Sequence, residues 1–267
     1  MYISVDMGGT NTRVAGAIDL DTLYMIHEPI KHRNSGDYEK DLDFIIESAK
    51  KIAGHHAIKA IGIGTPGTPN YDRTRIASAV NLPHWNNKPL VEPIRDALDC
   101  DVIYGNDGEA GALGYAYYDA KDDIDFHYLI WGTGIGGASI EYDMHGEVAR
   151  IGKLHWESHF KDWESACSGG SLTKKFGAPE TYSNDQWRKI LREFGRYLIR
   201  YVETYDPSSI IFGGGLATKH AKDLQELGTS AGIDITIHRN SIHGGFGLIR
   251  YQQTIGLPPI DAADIES

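Results

Sequence analysis

The sequence predicts an α/β fold built twice, as two lobes with a ligand cleft between them, and three features carry that prediction. Strand-like runs rich in β-branched residues alternate with amphipathic helical stretches. Two of the strands turn back through Gly/Thr-rich reversals, Gly8-Gly9-Thr10 and Gly132-Thr133-Gly134-Ile135-Gly136-Gly137. Several strands end in Gly, Pro or Asn-Asp loops, and in α/β sheets ligands bind beside such carboxyl ends.

The first hairpin joins residues 2–5 to 14–18 through Asp6-Met7-Gly8-Gly9-Thr10-Asn11-Thr12-Arg13. Without side chains at Gly8 and Gly9, backbone N–H groups can converge on an anion, while Thr10, Asn11 and Thr12 add hydroxyl and amide donors. Asp6 supplies a carboxylate able to hold a hydrated Mg²⁺ over the same phosphates. An ordinary Gly-rich hairpin turn has the same letters, and one such loop is weak by itself.

A third strand is predicted over 23–30, a polar loop over 31–36, and then a helix capped by Asp37. Leu42, Ile45, Ile46, Ala49, Ile52 and Ala53 fall at helical spacing there, with charged residues opposite. Strand 60–65 ends at Pro66-Gly67. The following loop, 65–89, contains Asn81-Leu82-Pro83-His84-Trp85; loops of such length are functional or disordered, and Trp85 argues for order. A short helix over 90–98 and a strand over 101–104 lead into Gly105-Asn106-Asp107 and a helix over 108–118. Asp107 thus stands at a helix N-terminus on a strand tip, where the macrodipole favours negative charge. A plain N-cap accounts for the same residues.

An acidic linker over 119–125 separates the lobes, predicted as 1–118 and 119–267. Strands 127–131 and 138–142 flank the second turn, repeating the first hairpin in architecture more than in letters. Gly132, Gly134 and Gly137 also satisfy the dinucleotide spacing G-x-G-x-x-G, but that motif has to open a helix, and 138–142 alternates like a strand. The stretch 144–163 reads as irregular. Its His145, His155 and His159 lack cysteine partners and ligand spacing, and are taken as solvated or packed. A helix follows over 164–176, and Ser183-Asn184-Asp185-Gln186 is a capping box opening the clearest helix of the chain. Strand 209–212 ends in Gly213-Gly214-Gly215, which lets something flat or bulky lie against the backbone. A helix over 216–227, a strand over 233–237, a helix over 244–251 and a frayed tail over 257–267 complete the prediction.

Composition narrows the partners. The 267 residues are 41% hydrophobic and 24% charged, ordinary for a globular protein, and the formal charge of −11 argues against a nucleic-acid backbone as ligand. No apolar run approaches a membrane span, and the first residues have neither a basic nor an apolar leader region, so a cytoplasmic protein without membrane or nucleic-acid partners is expected. Cys100 and Cys167 fit that reducing compartment as buried free thiols, with a single disulfide as the alternative.

Six stations, taken in order, resemble the ROK family of sugar kinases: the Asp6–Arg13 turn, Gly64-Thr65-Pro66-Gly67, Asn81-Leu82-Pro83-His84-Trp85, Asn106-Asp107-Gly108-Glu109-Ala110, the Gly132–Gly137 turn, and Gly213-Gly214-Gly215 after Asp206-Pro207. The resemblance implies the duplicated actin-like, ribonuclease-H-like fold. It also implies a glucokinase-like enzyme using ATP and Mg²⁺ on a small-molecule sugar, and a homodimer. By the same resemblance, Asp6, Gly8, Gly9, Thr10, Asn11 and Thr12 would serve the ATP phosphates on one side, with Asp6 reaching Mg²⁺ through water. Thr133 and Gly134 would serve the other side of the phosphates, and Gly213, Gly214 and Gly215 would border adenosine. Gly67, Asn81, Asn106, Asp107 and Glu164 would face the sugar, with Asp107 as general base.

There are departures from the family pattern. The family's cysteine-rich zinc motif is missing, leaving Cys167 isolated, so no structural zinc is expected. A Glu-x-Gly-His segment is matched by Arg150-Ile151-Gly152-Lys153. Two sugar contacts would then be cations, which raises an acidic sugar as an alternative to a neutral hexose or N-acylhexosamine; the competing reading leaves both in solvent. A catalytically silent sugar-binding protein and a nicotinamide oxidoreductase are the rivals from other classes.

Overall fold

The computed structural model describes residues 1–25, 27–154 and 160–258. The chain divides into two compact units, Met1–Ala120 with Asn240–Ser267, and Lys121–Arg239. The predicted single cut between 118 and 119 therefore misses the return of the C-terminal segment to the first unit.

In the first unit, β1 (Tyr2–Met7) and β2 (Asn11–Ala17) form the expected antiparallel hairpin, with Met7 opposite Thr12. The next strand, β3, is Ile30–Arg33 and not 23–30. Leu23 sits at φ +46, outside extended geometry, and Pro29 has no N–H to give a ladder. Helix α1 (Tyr38–Ala53) is capped by Asp37, whose side chain accepts from the Lys40 N–H, and its apolar stripe is buried as predicted. Next come β4 (Ala60–Thr65), a small hairpin of β5 (Thr68–Pro69) and β6 (Ile76–Ser78), a short 3₁₀ turn at Pro83–Trp85, and α2 (Val91–Leu98). The long loop is ordered around Trp85, which is fully buried beside Leu82. Strand β7 (Asp101–Asn106) passes directly into α3 (Asp107–Tyr118). The sheet order is β3-β2-β1-β4-β7, with β1, β4 and β7 parallel.

The second unit repeats that order. Strands β8 (Phe126–Trp131), β9 (Ile135–Tyr142) and β10 (Val148–Lys153) form an antiparallel meander, and β8 pairs in parallel with β11 (Ile210–Gly213), which pairs in parallel with β12 (Ile235–Ile237). The order β10-β9-β8-β11-β12 matches the first sheet strand for strand. Because β9 continues the turn as a strand, the dinucleotide motif is excluded. β10 lies where the sequence reads as irregular; it is a strand because it pairs with the edge of β9, with Val148 and Ile151 buried. His155 and His159 lie outside the described residues. Between β10 and β11 stand α4 (Lys161–Cys167), α5 (Gly169–Phe176) and α6 (Asn184–Tyr205). The predicted 164–176 helix is thus two, broken at Ser168, whose extended backbone ends α4 and whose hydroxyl caps α5. The predicted 216–227 helix is likewise two, α7 (Gly215–Lys219) and α8 (Ala221–Ala231), parted at His220. Phe194, Leu198 and Phe212 build the core of this unit around Trp131 and Trp163.

The last helix, α9 (His243–Thr254), packs on α3, β1 and β4 of the first unit. Glycines make that crossing close: a Cβ on Gly62 would overlap the Gly245 carbonyl, and one on Gly114 would meet Gly244. Among the described residues no helix is long and apolar enough to cross a membrane. Cys100 and Cys167 are both free and buried, and burial pushes their thiols up to about 11 and about 12.

Candidate active site

The turn between β1 and β2 is closed by Gly8 N–H donating to the Asn11 carbonyl at 2.9 Å. Thr10 is exposed and Gly9 half-buried, and their N–H groups find no acceptor among the described residues. N–H groups of a glycine turn without a protein acceptor suit a phosphate. Thr12 does not join them. It is 2% exposed and its hydroxyl donates to Asn34 Oδ1 at 2.8 Å. Asn34 also donates its backbone N–H to the Thr10 carbonyl at 2.9 Å and Nδ2 to the Gly8 carbonyl at 2.7 Å. Thr12 and Asn34 therefore fix the shape of the turn, and the part played by Asn34 is not visible in a sequence that shows it only as part of a loop.

Asp6 pairs with Arg13 at 2.5 Å and accepts from the Ser241 hydroxyl at 2.9 Å. Both contacts fall on Oδ2, and Oδ1 makes none among the described residues. One open carboxylate oxygen beside the turn fits a Mg²⁺ held through water, since this ion keeps several waters and needs few protein ligands. Ser241 comes from the returning C-terminal segment, for which the sequence carries no signal.

At the carboxyl ends of β4 and β7, three of the residues expected at the sugar, Gly67, Asn106 and Asp107, lie together, while Glu164 belongs to the second unit. Gly67 sits at φ +97, where a Cβ would overlap the Ser78 carbonyl and Ala79. Its own carbonyl accepts Asn106 Nδ2 at 2.6 Å, while Asn106 Oδ1 caps α3 by accepting the Gly108 N–H at 2.8 Å. Asn106 thus spends much of its amide on joining the Gly67 loop to the helix. Asp107 is the first residue of α3, half-buried, with Oδ1 3.0 Å from the Gly108 N–H. Glu109 completes the capping box by accepting the Asn106 N–H at 2.9 Å, and Arg73 grips both its oxygens at 2.8 Å. The capping spacing was visible in the sequence; the partnership with Arg73 was not. Burial raises the Tyr104 phenol well above its usual value, and it accepts from Thr65 Oγ1 at 3.3 Å beneath this loop. Asn81 is half-buried just before the 3₁₀ turn.

In the second unit the Gly132–Gly134 turn is held on three sides. Gly132 N–H reaches the Gly134 carbonyl at 3.0 Å, and the first N–H groups of α5, from Gly169 and Gly170, donate to the carbonyls of Gly132 and Thr133. Glu164 Oε2 accepts the Ile135 N–H at 2.8 Å. Thr133 remains exposed. Of the three glycines at the end of β11, Gly213 is the last strand residue, buried against the Tyr128 hydroxyl, so only Gly214, at φ +99, and the exposed Gly215 reach the surface. Arg150 is 67% exposed and lies 3.3 Å from Glu141 across β9 and β10. The side chain of Lys153 lies outside what is described. His145 is exposed on the β9–β10 connection.

The chain is 27% identical over 190 residues to a glucokinase of Halalkalibacterium halodurans, covering 68% of this chain and 56% of that protein. It is 25% identical over 265 residues to a glucokinase of Streptomyces coelicolor, covering 81% and 82%. An N-acetyl-D-glucosamine kinase of Mannheimia succiniciproducens is 30% identical over 158 residues, 58% of this chain and 51% of that protein. The chain therefore spans little more than half the length of two of these three. Among solved structures, a ROK family glucokinase from Streptomyces griseus, in complex with glucose and AMPPNP, superposes with a TM-score of 0.70 at 19% identity, over 92% of this chain and 97% of that one. An inorganic polyphosphate/ATP-glucomannokinase from Arthrobacter superposes with a TM-score of 0.70 at 21% identity, over 94% and 98%. These likenesses establish the actin-like α/β fold. The sequence model of the ROK family matches residues 2–153, more than half of the chain, and this protein belongs to the ROK family.

Proposed function

We propose that the chain is an ATP-dependent sugar kinase that phosphorylates a hydroxyl of a hexose or an N-acylhexosamine. The observation that carries the proposal is Asp107 at the β7–α3 junction, next to an Asn106 tied to the Gly67 loop. A carboxylate in that position can take the proton of a sugar hydroxyl as its oxygen bonds to the γ-phosphorus. The bond from γ-phosphorus to the bridging oxygen breaks, and ADP leaves with that electron pair. Asp6 Oδ1 would hold Mg²⁺ through water, and the ion supplies neutralisation of charge on the transferred group. The N–H groups of Gly9 and Thr10 would orient the phosphates, with Gly8 and Asn11 shaping the turn. Thr133 and Gly134 would take the opposite side of the phosphates, and Gly214 and Gly215 would lie along adenosine.

Support for the acceptor class comes from relatives described as glucokinase and N-acetyl-D-glucosamine kinase. The exposed pairing of Arg150 with Glu141 supports the reading that leaves Arg150 in solvent and so favours a neutral acceptor. Asn81, Asn106 and Glu164 stay in the proposal as sugar-facing residues, and the homodimer implied by the family stays with it, readable by light scattering. ADP release from Mg-ATP against glucose, mannose, N-acetylglucosamine and N-acetylmannosamine tests the reading. Turnover on one of these is expected; ATP binding with silence across the panel would favour a sugar-binding protein without chemistry.

A further inference from the structure

Asp41 lies in the first turns of α1, 2% exposed, and no motif in the sequence draws attention to it. Its carboxyl group meets two loops at once. Oδ1 accepts the Ser35 N–H at 2.8 Å, and Oδ2 lies 2.9 Å from His84 Nε2. His32, stacked on Phe44 of the same helix, brings Nε2 to 3.8 Å from Oδ1.

Each loop leads to one half of the proposed site. Ser35 follows Asn34, whose backbone and side chain hold the Gly8–Thr10 turn and Thr12. His84 belongs to the 3₁₀ turn at Pro83–Trp85 that follows Asn81, and Leu82 and Trp85 on either side of it are fully buried. A buried acceptor bonded to two separate segments sets their spacing, because releasing either leaves a polar group unsatisfied. We propose that Asp41 is a positioning residue that couples the phosphate turn to the Asn81 loop, so that nucleotide and sugar affinity both depend on it. The kinetic part of this inference rests on the sugar-kinase reading; the structural part does not.

The test uses the full chain without ligand, followed by amide hydrogen exchange, and then apparent KM values for Mg-ATP and for the sugar that turns over. In Asp41→Ala, exchange is expected to rise about tenfold at both 30–36 and 79–88, the scale of losing one strong hydrogen bond, and both KM values to rise by a similar factor. In Asn34→Ala only the nucleotide side should respond, and in His84→Ala only the sugar side. Asp41→Asn keeps an acceptor for Ser35 and offers an amide to His84, and should restore most of both. Asp41→Ser serves if the alanine variant does not fold. Faster exchange confined to one segment in Asp41→Ala, or an equal loosening of the whole chain in each of the three alanine variants, would overturn the inference. Absence of turnover in the wild-type chain would count against the kinase reading alone, and the exchange pattern would still decide the role of Asp41.

Discussion

Arg73 and Glu109 meet fork to fork, each arm at 2.8 Å, with 11% and 9% of their side chains exposed. The pair lies under the Asn106-Asp107 step, because Glu109 Oε2 also takes the Asn106 N–H. Removing one partner of a buried pair leaves the other charge uncompensated, so Arg73→Ala should cost about 3–5 kcal/mol of stability. Urea unfolding of Arg73→Ala, and of Arg73→Met combined with Glu109→Leu, checks this. The double variant should recover part of the loss, short of the helix cap that Glu109 provides.

Gly67→Ala forces a side chain into a left-handed conformation and against the Ser78 carbonyl. The conformational part alone costs roughly 1–2 kcal/mol. Because the Gly67 carbonyl holds Asn106, steady-state kinetics should show the apparent KM for sugar rising more than that for ATP.

Glu164 holds the second glycine turn by a hydrogen bond and faces the sugar in the proposed reading, and kinetics separates the two duties. Its carboxylate accepts the Ile135 N–H at the end of the second glycine turn. If holding that turn is its main duty, Glu164→Ala raises the KM for ATP and Glu164→Gln, which keeps an acceptor, restores it. A main duty at the sugar would raise the sugar KM in both variants.

Burial raises the thiols of Cys100 and Cys167 from 9.0 to about 11 and about 12, and the Tyr118 phenol to about 12. A folded-state value above the unfolded one means that the unfolded chain loses its proton first. The stabilisation is complete below pH 9 and is lost as pH rises through 11 to 12. Urea midpoints should therefore hold from pH 7 to about pH 8.5 and fall above about pH 9, and Cys167→Ala should flatten the fall.

The parts of the fold that were legible are those with local causes. The two glycine turns, the Asp37-capped α1 and the Ser183 capping box of α6 each announce themselves within a few residues. The break at Ser168 also has a local cause, a serine cap followed by two glycines. What stayed hidden depends on distant partners. β10 is a strand only because β9 is beside it, and Ser241 reaches Asp6 only because the chain returns to its first unit. At the site, Asp107 and its neighbours could be placed from motifs. The residues that fix them, Asn34, Asp41 and Arg73, could not, since their importance lies in bonds across tens of residues.

Asp107→Asn is the most direct test of the account. The measurement is ADP release from Mg-ATP with the sugar that the wild-type chain uses, set beside ATP binding to the same variant. The account predicts a fall in turnover of about 10²- to 10⁴-fold, the usual contribution of a positioned base, with ATP binding nearly unchanged. Turnover equal to that of the wild-type chain would contradict it and take Asp107 out of the mechanism.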